Sequence, residues 1–109
     1  MRHIITTSLG DFNVELSYSP SQGDLILNRF TSVINRYATQ ALITVSEIHP
    51  ELDPVKDSET IEKQALSLLT FEDEGKIETA LFDSTRVGDG SGVPIRFSLE
   101  NKSIDVSAF

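Results

Sequence analysis

DLILNRFTSVINRYATQA, residues 24–41, is the stretch whose reading decides the fold. Its apolar side chains fall at Leu25, Ile26, Phe30, Val33, Ile34, Tyr37, Ala38 and Ala41, and a recurrence of three and four residues lines one face of a helix. Arg29, Ser32, Asn35, Arg36 and Gln40 fall on or towards the other side, as an amphipathic helix requires. The spacing therefore predicts a central helix with Phe30 in the middle of its buried stripe. Ser21 or Asp24 is placed to cap its first turn.

On the N-terminal side, residues 2–19 read as a hairpin. Gly10 in Leu9-Gly10-Asp11-Phe12 suits the first central position of a type II′ turn. That turn sets Leu9 opposite Phe12, Thr7 opposite Val14, Ile5 opposite Leu16 and His3 opposite Tyr18, all on one face. The other face, with Ile4, Thr6, Ser8, Asn13, Glu15 and Ser17, is largely polar.

On the C-terminal side, residues 41–48 (ALITVSEI) are rich in β-branched side chains, which favours a break near residue 41 and then a strand. Ala41, Val45 and Ile48 also continue the helical stripe, so one helix to residue 48 is the alternative, and Pro50 ends either version. After a loop over 51–57, Asp57 or Ser58 opens a shorter helix that buries Ile61, Ala65, Leu68 and Leu69. Acids oppose the negative end of a helix, so Glu72-Asp73-Glu74 predicts an end by Leu69 or Thr70. Residues 76–82 alternate weakly and read as a strand. Residues 83–92, with Gly88, Gly90 and Gly92, read as a loop. A second hairpin turns on Asn101-Lys102, setting Leu99 opposite Ile104, Phe97 opposite Val106 and Ile95 opposite Ala108. Lys102 suits a positive φ less well than glycine, which keeps a longer turn open.

These elements predict one α+β domain: a mostly antiparallel sheet, built from the N- and C-terminal hairpins, packed on the central amphipathic helix and a shorter second helix. In outline the plan resembles small components of phage tails and secretion systems, an analogy of fold that no motif carries.

Composition narrows the function. Cysteine is absent from the 109 residues, which removes thiolate catalysis and cysteine-based metal sites. The net charge of −8 is carried wholly by residues 47–89, where twelve acids face Lys56, Lys63, Lys76 and Arg86. A surface of that sign repels phosphates, which argues against direct nucleic-acid binding, and it attracts a basic partner. The first residues lack the apolar run of a signal peptide and no stretch approaches a membrane span. The expectation is a cytoplasmic protein, or one built into a particle assembled there.

No reaction motif is complete. Ser91 lies among glycines, but a nucleophile elbow needs glycine two residues earlier, where Asp89 stands. Glu47, His49 and Asp53 are too few for a zinc site. No cofactor is expected. The resulting expectation is a non-enzymatic protein–protein interaction module, a small structural subunit of a larger assembly or oligomer. Its contacts would be Glu72, Asp73 and Glu74 for a basic partner, and Ile104, Val106 and Phe109 on a final strand open to edge addition. The alternative is an acidic inhibitor or immunity-type protein that masks a basic site of a nuclease or nucleic-acid-binding partner.

Overall fold

The computed structural model describes residues 1–17, 20–86, 90 and 92–107, with the backbone alone over 20–23. Its elements are β1 (Arg2–Thr7), β2 (Gly10–Glu15), α1 (Pro20–Ile48), α2 (Ser58–Glu72), α3 (Glu74–Ser84), β3 (Ile95–Ser98) and β4 (Ser103–Val106). Two antiparallel hairpins and three helices make an α+β fold. The sheet is mixed, in the order β1-β2-β4-β3, because β2 and β4 join the hairpins in parallel.

The central helix is longer than 24–41. It runs unbroken to Ile48, so the strand expected over 41–48 is absent. Ala41 and Val45, one turn apart, are buried as the continuation of the stripe through Ile26, Phe30, Val33, Ile34 and Ala38. Packing against α2 outweighs the β-propensity of Ile43, Thr44 and Val45, which amounts to only about 1 kcal/mol or less per residue. The Thr44 hydroxyl folds back onto the Gln40 carbonyl, as Thr31 does onto Leu27, so neither donor is left unpaired.

At 1.5 Å per residue the 29 residues of α1 span about 43 Å, close to the 48 Å length of the molecule. The chain returns along this spine in two pieces, α2 of 15 residues and α3 of 11. Residues 76–82, expected as a strand, lie within α3. Ile77 and Leu81 are buried at i and i+4 while Thr79 between them is exposed, a helical period that weak alternation concealed. The Arg29 guanidinium donates to the Ser84 carbonyl at 2.9 Å, tying the end of α3 to the early part of α1.

The second helix also passes its expected end and reaches Glu72. Asp73 closes α2, donating its N–H to the Leu69 carbonyl, and opens α3, accepting from the Ile77 N–H. Acids unfavourable at the end of one helix thus stand at the favourable start of the next, which accounts for the longer α2. Asp57 does precede α2, but its carboxylate turns back to accept from the Asp53 N–H at 2.8 Å rather than capping the helix. The connecting loop is held by Asp53, whose carboxylate accepts from the Val55 and Lys56 N–H groups.

Both hairpins keep the expected inner faces and shift register. In the first, Ser8 and Leu9 form the turn, and Gly10 follows at φ +102, so Ile5 sits opposite Phe12 rather than Leu16. The shift is even, so Ile5, Leu9, Phe12, Val14 and Leu16 are all still buried. It places Ser8 in the turn, where its N–H donates to Asn35 Oδ1. In the second, the longer turn is realised: residues 99–102 connect Ser98 to Ser103, and Phe97 sits opposite Ile104. Ala108, expected opposite Ile95, lies outside the described residues.

Lys102 occupies the left-handed region at φ +48. Its ammonium donates to the Leu9 carbonyl at 2.8 Å, and its own carbonyl accepts from the Asn13 N–H, linking the two hairpin turns. Such a conformation costs about 1–2 kcal/mol in a residue with a side chain, and a hydrogen bond to a charged group contributes about 1.5–3 kcal/mol.

The final strand was expected to be an open edge with Ile104 and Val106 as partner contacts. Instead β4 is interior, paired with β2 on one side and β3 on the other. Its side chains Ile104 and Val106 belong to the core, at 0 % and 4 % exposure. Pairing on both sides consumes the backbone groups that edge addition needs, so β4 offers no open edge at Ile104 and Val106.

Three outcomes are expected from this architecture. Phe30→Ala and Ile104→Ala are each expected to cost several kcal/mol, about 2–5 by the usual cost of emptying a core site, measured by denaturant unfolding. A loss below about 1 kcal/mol for either places that side chain outside the core. Lys102→Gly is expected to lose about 1 kcal/mol net, since relief of backbone strain does not replace the ammonium; a gain in the same assay shows that strain dominates. The Lys56 and Val55 N–H groups hold the Asp53 carboxyl below the ordinary aspartate range. With the folded pKa lowered, this contribution is present above the unfolded pKa and lost as pH falls through the folded value. The protection of the Val55 and Lys56 amides, taken relative to the intrinsic exchange rate at each pH, is therefore expected to fall on acidification, and Asp53→Ala to remove it across the pH range.

Candidate interaction surfaces

Polar chemistry in the described residues is mostly spent on holding the fold. Asp53 and Asp57 order their own loop. His49 Nδ1 lies 3.1 Å from Glu51 Oε1, and the helical end of 41–48 separates that ring from any strand-like alignment with Glu47. Among the described residues no group of three or more histidines, aspartates or glutamates is placed to hold a metal ion. Ser91 and Asp89 lie outside the described residues, as do Tyr18 and Phe109. His3 faces the inner side opposite Val14, and its Nε2 is buried without a hydrogen-bond partner among the described residues.

The acids Glu72, Asp73 and Glu74 come together at the α2–α3 corner. Asp73 is half-buried and its Oδ1 is 3.7 Å from Lys76 Nζ. Glu72 is exposed, and Glu74 occupies the first turn of α3, where the helix's positive end favours it. Next to them stands Phe71, on the last turn of α2, with 90 % of its surface exposed. Sequence reasoning missed it: Phe71 falls off the apolar stripe that it extends by composition. The only available signal was an aromatic beside three acids.

Phe71 also lines a groove of about 600 Å³ with Leu66, Ser67 and Thr70 of α2 and with Leu99 and Glu100 of the β3–β4 turn. Away from the groove, α2 packs chiefly on α1 and to a smaller extent on α3. The floor of the groove is apolar, through Leu66 and Leu99, and the exposed carboxylates Glu72 and Glu100 neighbour Phe71 and the turn. Such a site fits an apolar side chain flanked by basic ones.

The sheet edges differ from each other. At β3 the outward Phe97 N–H is capped by Glu78 Oε2 at 3.1 Å, α3 packs against the strand, and Pro94 precedes it. At β1, on the opposite edge, Arg2, Ile4 and Thr6 are exposed. No helix of the described residues is long and apolar enough to cross a membrane.

Compared with known proteins, the chain matches no family model, no curated protein and no solved structure.

Proposed function

We propose that the protein is a non-enzymatic protein–protein interaction module, a small subunit of a larger assembly, that receives a basic partner at the α2–α3 corner. The observation that carries this reading is Phe71. Full burial of a phenylalanine is worth about 1.5–3 kcal/mol, and here that surface is left in water beside an apolar groove and two carboxylates. A few buried anchors carry most of the binding energy at protein interfaces, where aromatic residues including phenylalanine are enriched. The acids steer a basic partner to the site and the aromatic holds it there.

The alternative, an acidic inhibitor that masks a basic site with the 47–89 segment, is less well supported. Much of that charge is engaged internally: Asp53 and Asp57 with loop backbone, Asp73 with Lys76, Glu78 with the Phe97 N–H and Asp83 with Arg86. Glu47, Glu59, Glu62, Glu72 and Glu74 are left without such a partner among the described residues, and they lie along the length of the molecule rather than on one patch.

The test is affinity capture from the source cells with the wild-type chain, Phe71→Ala and the Glu72→Lys, Glu74→Lys double variant. All three substitutions are at surface positions or a helix start, and unfolding curves check that stability is kept. A basic protein is expected to be captured by the wild type, weakened about tenfold or more by Phe71→Ala as a central anchor would be. The charge reversals are expected to slow its association, most of all at low salt. Capture that is indifferent to all three substitutions overturns the reading.

A further inference from the structure

The β1 edge is a second exposed surface, separate from the α2–α3 corner. Met1 and Leu16 exchange both backbone hydrogen bonds, at 2.7 and 2.8 Å. Antiparallel pairs alternate, so His3, Ile5 and Thr7 also point their backbone groups at β2, and Arg2, Ile4 and Thr6 point theirs outward. Among the described residues nothing donates to or accepts from those outward groups. Natural sheets guard an edge with proline, lysine, a bulge, a short strand or a covering element. The β3 edge has four residues, a preceding proline and Glu78; β1 has six residues, with Arg2 its one lysine or arginine, and Ile4 stands 62 % exposed at its middle.

We infer that a second copy of this chain pairs β1 with β1, antiparallel, across a two-fold axis at Ile4, making one eight-stranded sheet from two of four. The charge distribution selects this occupant. Residues 1–46 hold three acids and three bases, whereas 47–89 holds the whole excess of negative charge. Two copies therefore meet without net repulsion at β1 and repel if they meet through α2 and α3.

The register follows from the outer face. Centred on Ile4, the pairing sets Ile4 against Ile4 and Arg2 against Thr6 of the second copy. Thr6 donates to Asp11 Oδ1 at 3.0 Å, so each incoming Arg2 arrives beside a carboxylate while its own chain holds it 3.7 Å from Glu15. Below the sheet, the α1 row that carries Asn35, bonded to Ser8, also carries the half-buried Leu27 and Thr31. Those side chains add buried area as the two α1 helices approach. A closed two-fold contact of this kind uses the same patch on both copies and stops at a dimer.

The chain has no cysteine, which makes cross-linking a direct test. Opposed residues of a hydrogen-bonded antiparallel pair have Cα atoms about 5.5 Å apart, within reach of a disulfide. Ile4→Cys is expected to form a covalent dimer on mild oxidation. Asn13→Cys, exposed on the same face but one strand inward, is expected to stay monomeric under the same conditions. By sedimentation the wild type is expected at twice 12.0 kDa. Ile4→Lys is expected to raise the dissociation constant about tenfold or more, because like charges then face each other. Ile4 is solvent-exposed in the single chain, so Ile4→Lys is expected to leave the unfolding curve of the monomer unchanged. A wild type that is monomeric throughout, a dimer that Ile4→Lys leaves intact, or cross-linking at Asn13→Cys equal to that at Ile4→Cys overturns the inference.

Discussion

Everything in this protein depends on the parallel pairing of β2 with β4. Val14 sits beside Ile104, so two hairpins from opposite ends of the sequence become one sheet. Neither hairpin is stable alone, since a two-stranded ribbon buries too little. Together they present Ile5, Phe12, Val14, Phe97, Ile104 and Val106 to the helices. The Phe12 and Phe97 rings stack at 6.2 Å across the intervening β4. Lys102 secures the pairing, with ammonium on the Leu9 carbonyl and carbonyl on the Asn13 N–H.

The helices provide the second constraint, one of length. A spine of 29 residues cannot be covered by the single short helix that local capping rules suggested. The chain covers it with two helices joined at Asp73, and the acids there serve the start of α3 while they burden the end of α2. The same junction leaves Phe71 and Glu72 exposed at a corner, with Phe71 across a groove from the β3–β4 turn. A packing solution for the spine thus produces the surface proposed to bind a partner.

The two proposed contacts lie on different parts of the molecule and differ in chemistry. One is aromatic and acidic, built on α2 and the β3–β4 turn. The other is a charge-balanced strand edge. A small subunit with one self-complementary patch and one patch for a basic partner would place two partner sites on each dimer, with fixed geometry between them.

By itself the sequence determined most of the faces, although Leu25 and Ile48, read on the α1 stripe, are exposed. Periodicity identified Phe30, Val33, Ile34 and Ala38 on α1, Ile61, Ala65 and Leu69 on α2, and the inward residues of both hairpins, because burial follows a side chain's local period. It also located the acids of the corner. What only the tertiary structure decided was length, register and neighbourhood. Residues 41–48 and 76–82 are helical because α1 needs covering along its whole length, and propensities of a kcal/mol or less yield to that packing. Register moved by even steps, so faces survived while partners changed, and Lys102 took a conformation that its own type disfavours in order to reach a carbonyl 93 residues away. Strand order was illegible for the same reason. Ile104 and Val106 read as an open edge because alternation reports which way a side chain points, and it carries no information on what lies beside the backbone. Phe71 escaped notice because exposure of an off-stripe aromatic depends on where the neighbouring elements stop.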